Sequence, residues 1–199
     1  MNSKIDYTNN LLIIISSPSG TGKTSICKKI IKHDKKIKLS VSHTTRPPRD
    51  NEINGVDYFF ISSDEFSSKI KKKDFLEYAN VFGNYYGTSK NNVKETLSKN
   101  FDVLFDIDWQ GAAQILKSNM TKIVTIFLVP PSKEVVLKRL EMRSIETGDK
   151  YDAIQRRMLE YEHEMEHASE YDYVVVNDDI EKCKEKVINI IENERKIKN

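Results

Sequence analysis

Eight consecutive residues, Ser17, Pro18, Ser19, Gly20, Thr21, Gly22, Lys23 and Thr24, bring together the groups needed to hold a chain of phosphates. Glycines at 20 and 22 let successive backbone amides turn inward around a cluster of oxygens, and the helical pattern starting near Lys23 aims its positive end at the same place. Lys23 then reaches the β and γ phosphates. Thr24 offers the hydroxyl expected of a Mg²⁺ ligand, since that ion takes few protein groups and keeps phosphate oxygens and water as its other ligands. The stretch matches the phosphate-binding loop at Gly22, Lys23 and Thr24, with Ser17 standing where the first glycine is usual. Context offsets this departure, because an apolar strand-like run precedes the loop and a helix follows it. A second cationic group lies further along: Arg46 and Arg49, three residues apart on a loop stiffened by Pro47 and Pro48, present forked donors to one phosphate. The planar guanidinium suits that bidentate task better than an ammonium. Arg139 and Arg143, four apart, share one helix face.

These residues need a scaffold. Apolar strand-like runs occur at Leu11 to Ser16, Lys38 to Ser42, Val103 to Ile107, Ile123 to Val129 and Tyr173 to Val176. Helical patterns fall between them, around Lys23 to Ile31, Gln110 to Ser118, Lys133 to Met142, Asp152 to Glu170 and Ile180 to Glu194. Such alternation predicts an α/β fold with a parallel sheet covered by helices on both faces. Residues 44 to 90 break the rhythm, with turn formers and aromatics between polar stretches, and read as an inserted lobe. Within it, Ser62 to Glu65 has the spacing of a capping box opening a short helix to about Lys71. The lysines at 69, 71, 72 and 73 crowd the end of that helix, where cations suit the free carbonyls, and are read as a solvated terminus.

With 199 residues, the chain has room for one well-packed domain rather than two independent ones. Lys and Arg total 32 against 30 for Asp and Glu, so bulk charge makes no case for a nucleic-acid or membrane partner, and phosphate binding must come from local geometry. The apolar run Leu11 to Ile15 is too short for a signal-peptide core or for the roughly 20 residues that span a bilayer. Cys27 and Cys183 match neither a disulfide framework nor a metal-ligand spacing and read as buried thiols in a reducing compartment, so a cytoplasmic setting is expected.

The segment Ser40 to Arg49, Ser-Val-Ser-His-Thr-Thr-Arg-Pro-Pro-Arg, followed by Asn54-Gly55-Val56-Asp57-Tyr58, resembles the guanylate kinase signature that grips the phosphate of GMP. Gly83-Asn84-Tyr85-Tyr86-Gly87, Asp106 to Gly111 and Val176 to Asp179 extend the resemblance over almost the whole chain. It implies a P-loop NTPase-like core (about 1–43, 91–138 and 160–199), an inserted mixed α+β GMP-binding lobe (about 44–90) and a small lid (about 139–159) within a single domain. It also implies ATP as phosphoryl donor, Mg²⁺ as cofactor, and a monomer or weak homodimer acting on small molecules.

Residue roles carry over with the resemblance. Ser42, Tyr58 and Tyr86 match positions whose hydroxyls complete the grip on the acceptor phosphate. Glu77 matches the guanine reader, a fitting group because guanine offers N1–H and the N2 amine as adjacent donors, whereas adenine has a lone pair at N1. A buried carboxylate facing that lone pair would lose its partners, and sites of this kind discriminate by about 10⁴ or more. Thr88 is expected to donate to guanine O6 and Asp108 to accept from the N2 amine, while Asp106 lies near the Mg²⁺ shell. Arg139, Arg143 and Arg157 resemble the lid arginines that close over the phosphates, and with Lys23, Arg46 and Asp106 they form the expected catalytic set. Asn177 matches the adenine-proximal position. The lid departs from the commoner pattern, with Ser144 where glycine often stands and Glu146 to Tyr151 a few residues long.

Three other readings compete. His163-Glu164-Met165-Glu166-His167 fits the zinc-protease pattern literally. However, Ile154, Met158, Tyr161, Met165 and Ala168 fall on one apolar stripe, which turns both histidines toward solvent among glutamates. Another nucleoside monophosphate kinase would share the loop and lid but lack the Glu77 and Thr88 pair, and scaffold modules of this fold carry degraded ATP-site motifs.

Overall fold

The run Leu11–Ser16 forms β1, and every one of its residues is buried. The reason lies in its two faces: Leu11, Ile13 and Ile15 pack into one apolar cluster, Leu12 and Ile14 into another on the opposite side. A strand buried on both faces loses the apolar/polar alternation of a half-exposed one, and each fully buried aliphatic side chain is worth about 1.5–3 kcal/mol relative to exposure.

The computed structural model describes residues 10–118, 120–147 and 151–197. After β1 come α1 (Lys23–His33), β2 (Ile37–Leu39), β3 (His43–Thr44), β4 (Phe59–Phe60), α2 (Ser63–Lys71), β5 (Phe75–Val81) and β6 (Asn84–Ser89). The chain continues with α3 (Lys90–Ser98), β7 (Asp102–Asp106), α4 (Trp109–Ile115), β8 (Lys122–Val129), α5 (Lys133–Thr147) and α6 (Tyr151–Glu166). A 3-10 turn (His167–Glu170), β9 (Tyr173–Val176) and α7 (Ile180–Lys196) complete it.

The main sheet has the order β2-β7-β1-β8-β9, with all neighbours parallel. Helices α1 and α7 cover one face through Ile26, Cys27, Ile30, Cys183, Val187 and Ile191; α3 and α4 cover the other through Val93, Leu97, Ala112 and Ile115. Both cysteines are free and buried in the first cluster, and burial pushes the Cys183 thiol up to about 11. Arg195 on α7 bridges Asp102 (2.7 Å from Nε) and Asp34 (2.6 Å from Nη1), tying the last helix to β7 and to the end of α1. Asp102 is wholly buried and also accepts from the Leu11 amide, so removing one partner would strand a charge at about 3–5 kcal/mol.

The inserted lobe is a second sheet, β4-β3-β6-β5, with β3 and β4 parallel and the other neighbours antiparallel. Its helix α2 opens on the expected capping box, with Ser62 Oγ accepting from the Glu65 amide at 3.1 Å and Glu65 Oε2 from the Ser62 amide at 3.0 Å. Phe66 on α2 is fully buried against Phe75 and Tyr85, which gives the lobe its own apolar centre.

Element boundaries differ from expectation in places. The second strand ends at Leu39 rather than Ser42, because the chain leaves the sheet to start β3 in the lobe. Helix α4 stops at Ile115, α5 runs on to Thr147, and α6 tightens into the 3-10 turn after Glu166. Of the stretch Glu146 to Tyr151, residues 148–150 lie outside the described residues. No helix among the described residues is long and apolar enough to cross a membrane.

Candidate active site

The site lies at the carboxyl ends of the parallel strands, where open α/β sheets form their ligand crevice. Strand register assembles it: Ile15 stands opposite Asp106, so the loop after β1 and the loop after β7 emerge side by side. Val129 pairs with Val176, and the Asn177 amide donates to the Val129 carbonyl at 2.8 Å, which brings the loop after β9 to the other flank.

Gly22 precedes α1 with φ +99°, a left-handed conformation that an L side chain rarely adopts. A Cβ there would also sit 2.8 Å from Asn177 Nδ2. The first turn of α1 carries no acidic side chain, leaving its positive end open to an anion.

Several of the loop's polar groups have protein partners, while the buried Thr21 hydroxyl has none among the described residues. Lys23 Nζ donates to Asp106 Oδ1, and Thr24 Oγ1 donates to Asp106 Oδ2 at 2.8 Å. Burial works against the Lys23 ammonium, but the adjacent Asp106 carboxylate outweighs it and holds the pKa above its usual value. The Ser19 amide donates to Glu164 Oε2 at 3.2 Å. Burial pushes the Glu164 carboxyl up to about 7, with the Ser19 amide and Lys23 pulling back. The Thr21 carbonyl accepts from Arg139 Nη1 at 2.9 Å and from Asn177 Nδ2 at 2.7 Å, while Arg139 Nη2 reaches the Asn177 carbonyl at 3.3 Å. Asn177, expected beside adenine, thus spends its amide donor on bracing the loop.

Across the crevice, Arg46 Nη2 donates to Glu52 Oε1 at 2.7 Å, and the Arg49 amide donates to Glu52 Oε2 at 2.8 Å. One carboxylate therefore sets the loop that carries both arginines. The Arg46 guanidinium also stands over the Tyr58 ring at 5.5 Å, and Tyr58 meets Tyr86 edge to face at 5.9 Å. Burial, reinforced by the Asp106 charge, pushes the Tyr58 phenol up to about 12, so it remains a donor at neutral pH.

Glu77 is 3% exposed and shares the inward row of β5 with Phe75 and Ala79. Burial pushes its carboxyl up to about 7; the polar groups of Thr88, its partner on β6, draw it down and the Asp108 charge adds to the rise. Among the described residues, Glu77 Oε1 and Thr88 Oγ1 are both buried without a hydrogen-bond partner. Asp108 caps α4, accepting from the Gly111 amide at 2.9 Å through Oδ1 and from Gln110 Nε2 at 3.1 Å through Oδ2.

One cleft of about 840 Å³ joins these parts. Around the phosphate loop it is lined by Ser17, Pro18, Ser19, Gly20, Gly22, Lys23, Thr24, Asp106 and Asn177, and from α5 and α6 by Arg139, Arg143 and Arg157. Ser42, Arg46, Arg49, Tyr58, Glu77, Tyr86 and Asp108 line the opposite side. Thr21 and Thr88 are wholly buried behind this surface. Arg157 faces the cleft, with its guanidinium 5.9 Å from the Phe82 ring at the tip of the β5–β6 hairpin; Arg156 lines only a smaller neighbouring hollow and bonds back to Asp152.

Two expectations about α6 need correction. His167 does not face solvent: its side chain is 14% exposed and stacks on Trp109, 3.8 Å between ring centroids. The tightening into a 3-10 turn swings that residue away from its ideal helical direction. Glu164 is not on a solvated face either, as it lines the cleft. It follows buried Tyr161 by three residues and so flanks the apolar stripe, the one signal that could have found it. Glu52 was missed as well; a carboxylate three residues from one arginine and six from the other was its only trace. Among the described residues no group of three metal-ligating side chains occurs.

A phosphate loop after the central strand, facing a second lobe with paired arginines and a buried carboxylate across one cleft, defines a phosphoryl-transfer protein with a donor and an acceptor subsite. Residues 9–194 match the family model described as guanylate kinase. The chain is 48% identical over 185 residues to a guanylate kinase of Rickettsia prowazekii, covering 93% of this chain and 92% of that one. It is 45% identical over 185 residues to a guanylate kinase of Neisseria gonorrhoeae, covering 93% and 88%. A crystal structure of guanylate kinase from Anaplasma phagocytophilum superimposes with a TM-score of 0.77 at 33% identity, over 94% of this chain and 86% of that one. The chain belongs to the guanylate kinase family.

Proposed function

We propose that this cleft transfers the terminal phosphoryl group of ATP to GMP, giving ADP and GDP. The observation that carries the reading is the continuity of the cleft: the phosphate loop and the buried Glu77 carboxylate line the same space. A donor phosphate and a guanine-bearing acceptor can meet there.

The nucleophile is a phosphate oxygen of GMP, already largely dianionic near neutrality because a phosphomonoester's second pKa is about 6. No protein base is required. What the chain must supply is approach of two anions, charge stabilisation on the passing group and exclusion of water. Lys23 moves from Asp106 to the incoming phosphates. Arg46 and Arg49, held by Glu52, grip the acceptor phosphate together with the hydroxyls of Ser42, Tyr58 and Tyr86. Glu77 accepts from guanine N1–H and the N2 amine, with Thr88 donating to O6 and Asp108 contributing at the N2 side.

The Thr24 hydroxyl and the Asp106 carboxylate, 2.8 Å apart, are hard oxygen groups suited to Mg²⁺, Thr24 directly and Asp106 through water. When bound, the ion neutralises charge on the β and γ oxygens. Arg139, Arg143 and Arg157, on the two lid helices, close over the phosphates and keep ATP from water. Asn177 fixes the loop on which the donor rests. The core, lobe and lid boundaries given above are part of this reading. So are a cytoplasmic setting, a monomer or weak homodimer, and action on small molecules rather than nucleic acid or membrane.

The test is ADP formation from ATP and Mg²⁺ with GMP, AMP, CMP, UMP or no acceptor. Strong turnover with GMP alone is expected, and Glu77→Gln should lower kcat/KM for GMP by about 10² while ATP affinity stays within about twofold, as for loss of a buried charged hydrogen-bond pair. An unchanged GMP preference in that variant would remove Glu77 from the reader role.

A further inference from the structure

Gly111 lies in the first turn of α4, in ordinary helical backbone, where its missing side chain serves no unusual dihedral. Intrinsic preference alone would favour alanine there by about 1 kcal/mol. The demand for glycine comes from across the interface. A Cβ at 111 would stand 2.7 Å from Glu77 Oε2, 3.2 Å from Glu77 Cδ and 3.3 Å from Ile107 Cδ1.

Neither element can easily back away. Gln114, one turn along α4, accepts from the Tyr78 amide at 3.2 Å and donates to the Tyr78 carbonyl at 2.7 Å, clamping the helix to β5 one residue from Glu77. Asp108 holds the helix start through the Gly111 amide. Ile107 Cδ1 need give by only a few tenths of an ångström, so the main displacement falls on the carboxylate end of Glu77, which is pushed out of its slot.

We propose that Gly111 is a specificity-determining position: by presenting bare helix backbone it lets the Glu77 carboxylate seat against α4, and that seat sets where the guanine edge is read. Gly111 touches no substrate and acts through Glu77, so it is a positioning residue. The inference rests on the assignment of Glu77 to the guanine edge and adds the element that holds it in register.

Gly111→Ala is expected to raise the KM for GMP about 10-fold or more, the effect of misaligning a charged hydrogen-bond pair, with the ATP KM within about twofold and the melting temperature unchanged or slightly higher. A loss of stability without a change in GMP KM would mark an ordinary packing position and overturn the proposal. The decisive measurement is a double-mutant cycle with Glu77→Asp, whose carboxylate is one methylene shorter and clears the added methyl. Gly111→Ala should then cost GMP binding much less in the Asp background than in the Glu background; equal costs would overturn the coupling. If Gly111→Ala alone does not fold, the readout is whether Glu77→Asp restores a cooperative melting transition to it; a double variant that also fails to fold overturns the coupling. Failure of the Glu77 assignment itself looks different, since Glu77→Gln would then leave the GMP KM unaltered.

Discussion

The two sides of the cleft are built on different principles. On the proposed donor side the lining comes chiefly from eight consecutive residues around two glycines and the start of α1, with Asp106 and Asn177 beside them. On the acceptor side it comes from side chains of residues spread between Ser42 and Asp108, brought together by the register of a four-stranded sheet and its docking on α4. The donor side is also answered internally: Asp106 neutralises Lys23, Glu164 takes the Ser19 amide, and Arg139 with Asn177 takes the Thr21 carbonyl. Acceptor groups instead lean on one another, as Arg46 and Arg49 do on Glu52. A contiguous site keeps its shape when a side chain is changed, whereas a distributed site changes its shape when a support is lost.

The largest effect should come from the donor side. Lys23→Ala removes the one ammonium that lines the cleft among the described residues, and kcat should fall by about 10³ or more, at or beyond the cost of losing one preorganised donor. The circular dichroism spectrum should stay that of the folded parent, with a somewhat lower melting temperature because the largely buried Asp106 loses its cationic partner. Near-normal activity would break the comparison at its first term.

An intermediate effect should follow loss of an acceptor-side support. Glu52→Ala frees Arg46 and the Arg49 amide from their shared anchor, and the KM for GMP should rise about 10-fold with the ATP KM unchanged, as expected for one lost charged hydrogen-bond pair. Steady-state kinetics with each substrate varied in turn reads this directly. A fall in the GMP KM would mean that Glu52 competes with the acceptor phosphate instead of supporting its clamp.

The smallest effect concerns pH. The folded Glu77 carboxyl is raised to about 7 from an ordinary value of 4.5, so between those values the folded chain keeps a proton that the unfolded chain has released. Its contribution to stability is therefore lost as pH rises from 4.5 to 7 and is level above that. Glu77→Gln should raise the ligand-free melting temperature at pH 8 by about 2–4 °C and leave it nearly unchanged at pH 5. GMP reverses the preference, since its N1–H and N2 donors need the carboxylate. GMP affinity should improve as pH rises through 7, beyond the change set by the acceptor's own phosphate, and calorimetry in two buffers should detect proton release on binding at pH 6.5. Parallel pH profiles for parent and variant would remove the buried-carboxylate account.

Much of the fold was legible because its signals are local. The run from Leu11 to Ser16 reads as a strand from composition alone, and the capping box at Ser62 and Glu65 announces α2 through spacing. His167 was misread because ideal helical periodicity was extended across a segment that tightens into a 3-10 turn, which no residue type there marks. Glu164 was lost between two patterns, its place beside the apolar stripe outweighed by the charged residues around it. Glu52 could not be found as a support because nothing in its neighbours' order says which way its side chain turns.

The sequence by itself determined the phosphate loop, the alternation of strands and helices and the identity of the family, since each is carried by residue types at short, fixed spacings. Tertiary structure alone decided that Asp106 stands against Lys23 and Thr24, that Asn177 braces the loop, and that Glu77 seats on bare backbone at Gly111. The physical reason is the same in each case. Strand register and helix docking bring together groups from 36 to 156 residues apart to within hydrogen-bonding distance, and the energies that choose that register are summed over whole buried faces rather than written at any one position.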